Sequence, residues 1–513
     1  MFGSPSPTTL LFALCRRGGS LDIWTRTLVQ ARTEAAKLKT IDDLPGPTLS
    51  RTLFWLFVKG YADKSHLLQC LQKSLYGPIW RSKFGPLDLV NVASPDLIAQ
   101  VIQQEGRYPV RAELPHWKEY RDLRGQAYGL HVDKGQEWYR IRSALNPKML
   151  KLQEVSAYAP IINQVVEDLL QRIEFLRSCS PDRASVLDVT AELYKFGFEG
   201  ISSILFETRL GCLQENIPKD TARFIAAVND MLTLSEILVI FPRWTYRILP
   251  FWKRFVQAWD DLYGTAQKLI DSRLADIQTQ TARGEREEGL YLTYLLSCKK
   301  ITQSEIYISV TELLLGGVDT TSNTLSWALY HLARDLRVQD RLYNEVNAVC
   351  ANRRNPNMDD LKGMPYLKAV IKETLRLYPV VPGNGRFVAE NEVILDNYWF
   401  PKKTQFHLCH YVVSRDQTQF ACADAFMPER WLRTERLTPG FFHHHPYSFI
   451  PFGVGVRGCV GKRVAEMEMY FALCRLMQHY EVRPGDDRAP TQAKTRTLLI
   501  PAKPINLLFL HRA

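Results

Sequence analysis

The sequence predicts a mainly α protein with minor β, and by length and composition leaves one large domain or three open. Three observations carry that prediction. The 513 residues are 46% hydrophobic, 11% aromatic and 23% charged, the balance of a fully folded globular chain rather than a disordered or disulfide-stapled one. Apolar residues recur at three- and four-residue spacing through most of the length. No Pro/Ser/Gly-rich linker long enough to separate folding units interrupts them, although roughly 150 residues per domain would allow three domains.

The first forty residues stand apart from the body. Arg16, Arg17, Arg26, Arg32, Lys37 and Lys39 are opposed only by Asp22 and Glu34, and the segment is rich in Ser, Thr and Ala. That is the composition of an organelle-import presequence, assigned here to residues 1–40. Its longest apolar run, Leu10 to Cys15, is far below the roughly 20 residues of a membrane span, so no transmembrane anchor is expected. Asp43 to Pro47 cannot continue a helix, because proline removes a donor and fixes φ, and it marks the start of the body, residues 41–513.

Ile79 to Lys83 and Leu87 to Val92, punctuated by Gly77, Pro78, Gly85 and Pro86, read as a hairpin. From about residue 95 helices dominate: Trp138 to Leu145, Pro160 to Leu176, Val186 to Phe206, Thr221 to Leu238 and Pro250 to Thr279 all carry a helical apolar period. The charge run Arg283 to Glu288 reads as a solvated loop. Strands are expected again only near Val393 to Ile394 and Leu498 to Leu510.

The longest helix is predicted from about Thr302 to Asp335, with Thr302 and Glu305 as a capping box. Its middle, Gly316 to Thr321, is a run of weak helix formers with Asp319 at core depth. Such a violation is expected where a backbone must open for a ligand, since glycine permits close approach and a threonine hydroxyl can bond a backbone carbonyl. A packing kink is the alternative.

Near the C-terminus, Phe452 to Gly461 places closely spaced glycines around Cys459, ahead of an amphipathic stretch running to about Tyr480. Glycines allow tight turns, and free amides at a helix start favour a thiolate, so the pattern presents one anionic sulfur. The ten cysteines include no CxxC pair, so the spacing points to neither a zinc framework nor a secreted disulfide pattern and fits a reducing compartment. His443, His444 and His445 are read as surface residues, because three consecutive side chains cannot easily converge on one ion.

Phe452 to Gly461 resembles the haem-binding loop of the cytochrome P-450 superfamily, whose axial iron ligand is a cysteine thiolate. Three further motifs follow the order of that family: Gly316 to Thr321, Glu373 to Arg376 as Glu-x-x-Arg, and Pro428 to Trp431. The resemblance runs from about Pro45 to the end and implies the family's fold, with haem b (iron protoporphyrin IX) between the long helix and the cysteine loop. By the same resemblance Cys459 is the proximal ligand, and Asp319 and Thr320 are the acid and alcohol pair that delivers protons. Glu373, Arg376 and Arg430 match the buried ion-paired triad and are structural. Trp138, Arg142, Arg386 and Arg457 match the haem-propionate contacts, with Phe452 in the same cofactor-binding loop. Leu313, Gly316 and the stretch Val380 to Pro382, including Val381, are implied as the substrate-pocket wall.

Lys368 and Lys372, with Lys462 and Arg463 on a neighbouring helix, form a candidate basic patch. It resembles that of the mitochondrial branch, which takes electrons from an adrenodoxin-type ferredoxin supplied by its reductase. Between Ile237 and Phe255 aromatic and basic residues are interleaved, which suits monotopic insertion at a headgroup boundary, and the resemblance to the mitochondrial branch implies that the membrane is the inner one, met from the matrix side. No nucleic-acid partner is expected. Tyr108 to Arg111, Trp117 to Asp122, Gly211 to Pro218 and Pro250 to Arg254 look like the mitochondrial sterol side-chain hydroxylases. Pro382 to Arg386 and Lys494 to Thr497 look equally like vitamin D hydroxylases and a retinoid desaturase. The expectation is a monooxygenase acting near the end of a sterol side chain, with a secosteroid or retinoid as the alternative. A haem or lipid carrier without turnover is the rival from another class, and a carrier has no need of the Asp319–Thr320 pair.

Overall fold

The computed structural model describes residues 38–283, 290–388, 391–432, 444–485 and 490–512. The expected presequence up to residue 37, the charge run beyond Arg283 and His443 lie outside these residues. Residues ahead of the proline turn already belong to the fold: Lys39–Thr40 pairs in parallel with Tyr398–Trp399, and Thr40 closes a capping box with Asp43. Among the described residues no helix is long and apolar enough to cross a membrane.

The predicted hairpin is present, Ile79–Phe84 pairing antiparallel with Leu87–Val92. The helices follow as Gly135–Leu150, Ala159–Cys179, Val189–Phe206, Lys219–Leu238 and Pro250–Ala282. Each coincides with its periodic stretch because the apolar stripe is the face that packs. The third starts later than expected. Ser185 and Val186 pair instead with Leu508 and Leu507, and the Asp188 side chain caps the helix by accepting from the Ala191 amide.

The β content exceeds the sequence expectation. Leu498 to Leu510 divides into two strands, Leu498–Pro501 and Leu507–His511, while Asn384–Val388, Thr404–Leu408, Tyr480–Pro484 and Ala493–Arg496 are strands as well. These runs are too short or too polar to show an alternation, and their neighbours supply the pairing. The largest sheet has five strands in the order Ile79–Phe84, Leu87–Val92, Thr404–Leu408, Asn384–Val388, Val110–Arg111. Its register sets Arg111 directly opposite Arg386. Like charges facing each other destabilise a strand pair, so this register marks a place that attracts an anion.

The long helix spans Gln303–Arg334, and both halves of its capping box form: the Glu305 amide donates to Thr302 Oγ1 and the Thr302 amide donates to Glu305 Oε2. It stays α-helical through Gly316 to Thr321, so the weak helix formers do not interrupt it. Packing supplies what propensity lacks. Val189–Phe206 lies so close that a Cβ on Gly317 would come 2.7 Å from Ile201 Cγ1.

Candidate active site

The cysteine loop is shaped by Gly453 and Gly455, whose φ values of +68° and +67° belong to a region that side-chain-bearing residues avoid. The Cys459 amide donates to the Phe452 carbonyl at 2.8 Å and closes the loop. Three residues later the helix Lys462–His479 begins. Cys459 is accessible, yet burial pushes its thiol pKa up, against the opposing pull of the Gly461 amide and of Arg111, Arg142 and Lys462. The helix start alone therefore does not make the thiolate that the sequence suggested, because desolvation outweighs it. An anionic sulfur here requires a cation against it.

The long helix has its own opening. Gly316 is exposed in the middle of an otherwise buried stretch, and a Cβ there would meet nothing within 4 Å. Thr320, one turn on, is partly exposed and donates from Oγ1 to the Gly316 carbonyl at 2.8 Å, the threonine-to-carbonyl bond the sequence allows. Leu313 is buried one turn before Gly316. Val381 is half-buried between buried Val380 and Pro382. This segment is held by the Leu499 amide, which donates to the Val380 carbonyl at 2.8 Å, and by the Tyr411 amide, which donates to that of Pro382 at 2.9 Å.

Four arginines converge near the cysteine. Arg457 Nε donates to the Pro109 carbonyl at 2.6 Å, and its guanidinium lies 3.5 Å from the centre of the buried Trp138 ring. Arg142 donates to the Gly458 carbonyl at 2.8 Å and to Asn146 Oδ1 at 2.6 Å, and Arg111 donates to the Arg457 carbonyl at 3.0 Å. Arg386 meets Glu105 at 2.5 Å without completing a hydrogen bond. Burial first, then mutual repulsion, holds Arg457 down at about 8 and Arg111 at about 10. Arg111 Nε and Arg386 Nε have no hydrogen-bond partner among the described residues. Four arginines against the carboxylates Glu105 and Glu312 leave positive charge in excess, which calls for an anionic ligand, and planar forks suit carboxylates. Porphyrin propionates and an iron beside Cys459 meet both requirements, so the residues fit haem. Trp138 is a platform for the Arg457 guanidinium. Phe452 contributes its carbonyl to the loop, and its ring carries Lys462 at 5.5 Å.

The expected triad is complete. Glu373 accepts from Arg376 Nε at 2.9 Å and Nη2 at 2.7 Å, from Arg430 Nε at 3.0 Å, from the Met427 amide at 3.0 Å and from Trp431 Nε1 at 2.9 Å. Arg376 spends its remaining donors on the carbonyls of Ser414, Ala423 and Ala425. All three triad residues are buried, on the helix Pro365–Leu377 and the turn Pro428–Trp431.

Lys372, Lys462 and Arg463 are exposed and Lys368 is half-buried. The two helices that carry them pack together, and Lys372 lies over the Trp431 ring at 5.8 Å. Glu466 faces both Lys462 at 4.0 Å and Arg463 at 3.4 Å and offsets part of the patch. The stretch Ile237 to Phe255 divides: Tyr246, Trp252 and Phe255 belong to the core, while Trp244 and Ile248 are 75% and 76% exposed beside exposed Arg243, Arg247, Lys253 and Arg254. His444 and His445 are partly exposed, at the surface, with one side of each ring packed. His444 stacks on Phe420 with ring centres 5.0 Å apart, and His445 accepts from the Tyr447 amide. No cluster of metal-ligating side chains occurs among the described residues.

Sequence reasoning missed Arg111, Glu105, Tyr194 and Arg496. Tyr194 and Arg496 bind Asp319, which is buried and is bonded to them. Isolated Arg and Tyr residues carry no period, and only the strand register and helix packing bring them in. One signal was available for Arg111 and Arg496: each falls in a stretch, Tyr108 to Arg111 and Lys494 to Thr497, whose likeness to relatives was visible.

Residues 44–509 match the family profile for Cytochrome P450. The chain is 43% identical over 480 residues to the rat protein "Sterol 26-hydroxylase, mitochondrial", covering 93% of this chain and 90% of the relative. The human protein of that name is 43% identical over 479 residues, covering 92% and 90%. Human "25-hydroxyvitamin D-1 alpha hydroxylase, mitochondrial" is 41% identical over 481 residues, covering 92% and 93%. With a haem-thiolate cofactor and monooxygenase chemistry implied by that match, this chain belongs to the cytochrome P450 family.

Proposed function

We propose that this chain is a mitochondrial monooxygenase that hydroxylates the terminal side chain of a sterol, with haem held by Cys459 and electrons from an adrenodoxin-type ferredoxin. The observation that carries the reading is the pairing of an accessible, desolvated Cys459 thiol and under-neutralised arginines with an exposed Gly316 and a partly exposed Thr320 on the long helix. Haem supplies oxygen binding and reductive activation. The chain supplies the rest. Cys459 ligates the iron, and Arg142, Arg386, Arg457 and Arg111 take the propionates, with Trp138 and Phe452 supporting them. Leu313, Gly316 and Val381 wall an apolar pocket that excludes water from the carbon to be oxidised. Thr320 Oγ1 passes a proton at the opening, and Asp319 is the buried acid behind it. The 43% identity to sterol 26-hydroxylases supports a sterol substrate.

The basic head of residues 1–40 supports import into the matrix, ahead of a single catalytic domain. Exposed Trp244 and Ile248 among four cations support monotopic attachment to the inner membrane. The test of the whole reading is incubation of the haem-loaded protein, ferredoxin and its reductase with cholesterol, a vitamin D precursor and retinol. The spin-state shift and product mass are recorded. A side-chain-hydroxylated sterol is expected, and exclusive oxidation of the secosteroid or the retinoid would replace the substrate assignment.

Two variants test the roles. Thr320→Ala should keep haem while product per electron falls at least several-fold and hydrogen peroxide rises; an unchanged yield would refute the role. Lys372→Gln should weaken ferredoxin binding several-fold at low salt, about 1 kcal/mol, and flatten its salt dependence; an unchanged dissociation constant would refute docking there.

A further inference from the structure

The C-terminal hairpin formed by Ala493–Arg496 and Leu498–Pro501 turns at Thr497, whose φ is +58°. That turn holds two elements at once. Arg496 Nη2 donates to Asp319 Oδ1 at 2.7 Å, while its Nη1 donates to Asn229 Oδ1. Thr497 Oγ1 donates to the Leu232 carbonyl at 2.9 Å and its amide donates to Glu236 Oε2 at 3.2 Å. Asn229, Leu232 and Glu236 lie at i, i+3 and i+7 on one face of the helix Lys219–Leu238.

On the other side the Tyr194 hydroxyl donates to Asp319 Oδ1, and Asn323 Nδ2 donates to the Tyr194 oxygen at 2.9 Å and to the Asp319 carbonyl at 2.8 Å. Oδ1 thus receives two donors, whereas buried Oδ2 receives none among the described residues. A carboxylate turns about one bond, so fixing one oxygen fixes the other. A buried charge held this way keeps its orientation only as long as its partners keep theirs.

We propose that Arg496 and Tyr194 are positioning residues for Asp319, and that the turn Arg496–Thr497 is a strut through which the helix Lys219–Leu238 sets the carboxylate so that Oδ2 is its open acceptor. The proposal rests on the reading of Asp319 and Thr320 as the proton-delivering pair. It makes Asn229, on a different helix from the acid, a determinant of how electrons divide between product and peroxide.

The test uses the haem-loaded full chain as the parent, with Asn229→Ala, Tyr194→Phe, Arg496→Gln, Arg496→Lys and Asp319→Asn. Two quantities are measured: product and peroxide per electron with KM and kcat separated, and, without turnover, the infrared carboxylate band identified by subtracting the Asp319→Asn spectrum. Asn229→Ala, Tyr194→Phe and Arg496→Gln should each shift the band and lower product per electron at least two-fold, with kcat changed more than KM. Arg496→Lys should recover part of the loss, because it keeps the charge. Should Arg496→Gln fail to bind haem, Asn229→Ala and Tyr194→Phe decide, since they leave the buried charges paired. An unmoved band in those two variants overturns the strut, as does a loss of coupling in Asn229→Ala with the band unmoved, which would place the effect in the substrate pocket. Unchanged coupling in Asp319→Asn would instead overturn the proton-pair reading itself.

Discussion

Replacing Cys459 with Ser should abolish oxygenation and the thiolate spectral signature of the carbonyl-bound reduced protein while leaving the fold in place. The Cys459 backbone bond to Phe452 does not involve the side chain, and the glycine turns before it are untouched. What is lost is the electron-rich ligand, for which a hydroxyl is a poor substitute. Removing even an outer-shell partner typically costs 10–100-fold in metal affinity or activity, so loss of the ligand should exceed about 100-fold in turnover. Haem content and the reduced carbonyl spectrum measure this directly. Cys179→Ser, at an exposed cysteine, serves as the control and should match the parent. A normal thiolate spectrum in Cys459→Ser would remove the foundation of the proposed function.

The second large effect is structural. Glu373→Gln removes the one carboxylate that both Arg376 and Arg430 face, and all three are buried. Stranding buried charge costs about 3–5 kcal/mol, a large share of the roughly 5–15 kcal/mol that stabilises a folded domain. The expected outcome is a collapse in the yield of soluble, haem-bearing protein and rapid proteolysis at moderate protease concentration. Lys362→Ala breaks an ion pair whose partners Lys362 and Asp359 are 78% and 86% exposed, and should change stability by less than about 1 kcal/mol. Equal protease resistance of Glu373→Gln and the parent would show that the triad is dispensable.

The two sites differ in how far the sequence discloses them. Cys459 and its glycines are contiguous, so the tight turn, the sulfur and the helix that follows can be read from ten adjacent residues. Glu373 and Arg376 lie one turn apart on a helix and are legible for the same reason, and Arg430 came from a motif. The Trp431 and Met427 donors to Glu373 were not anticipated, because which side of a short turn faces inward depends on what it packs against. Asp319 illustrates the limit. Its position at core depth follows from the helical period, but its partners Tyr194 and Arg496 come from a neighbouring helix and a terminal hairpin.

Helix positions, the capped start of the long helix, the cysteine turn and the Glu-x-x-Arg pair were determined by local sequence, since each depends on spacing, capping or backbone freedom within a few residues. The tertiary structure alone decided the strand register that sets Arg111 against Arg386, the desolvation that raises the Cys459 thiol, and the clamp on Asp319. Those features arise from groups far apart along the chain. Their energies come from burial and from through-space charge, which no local pattern encodes.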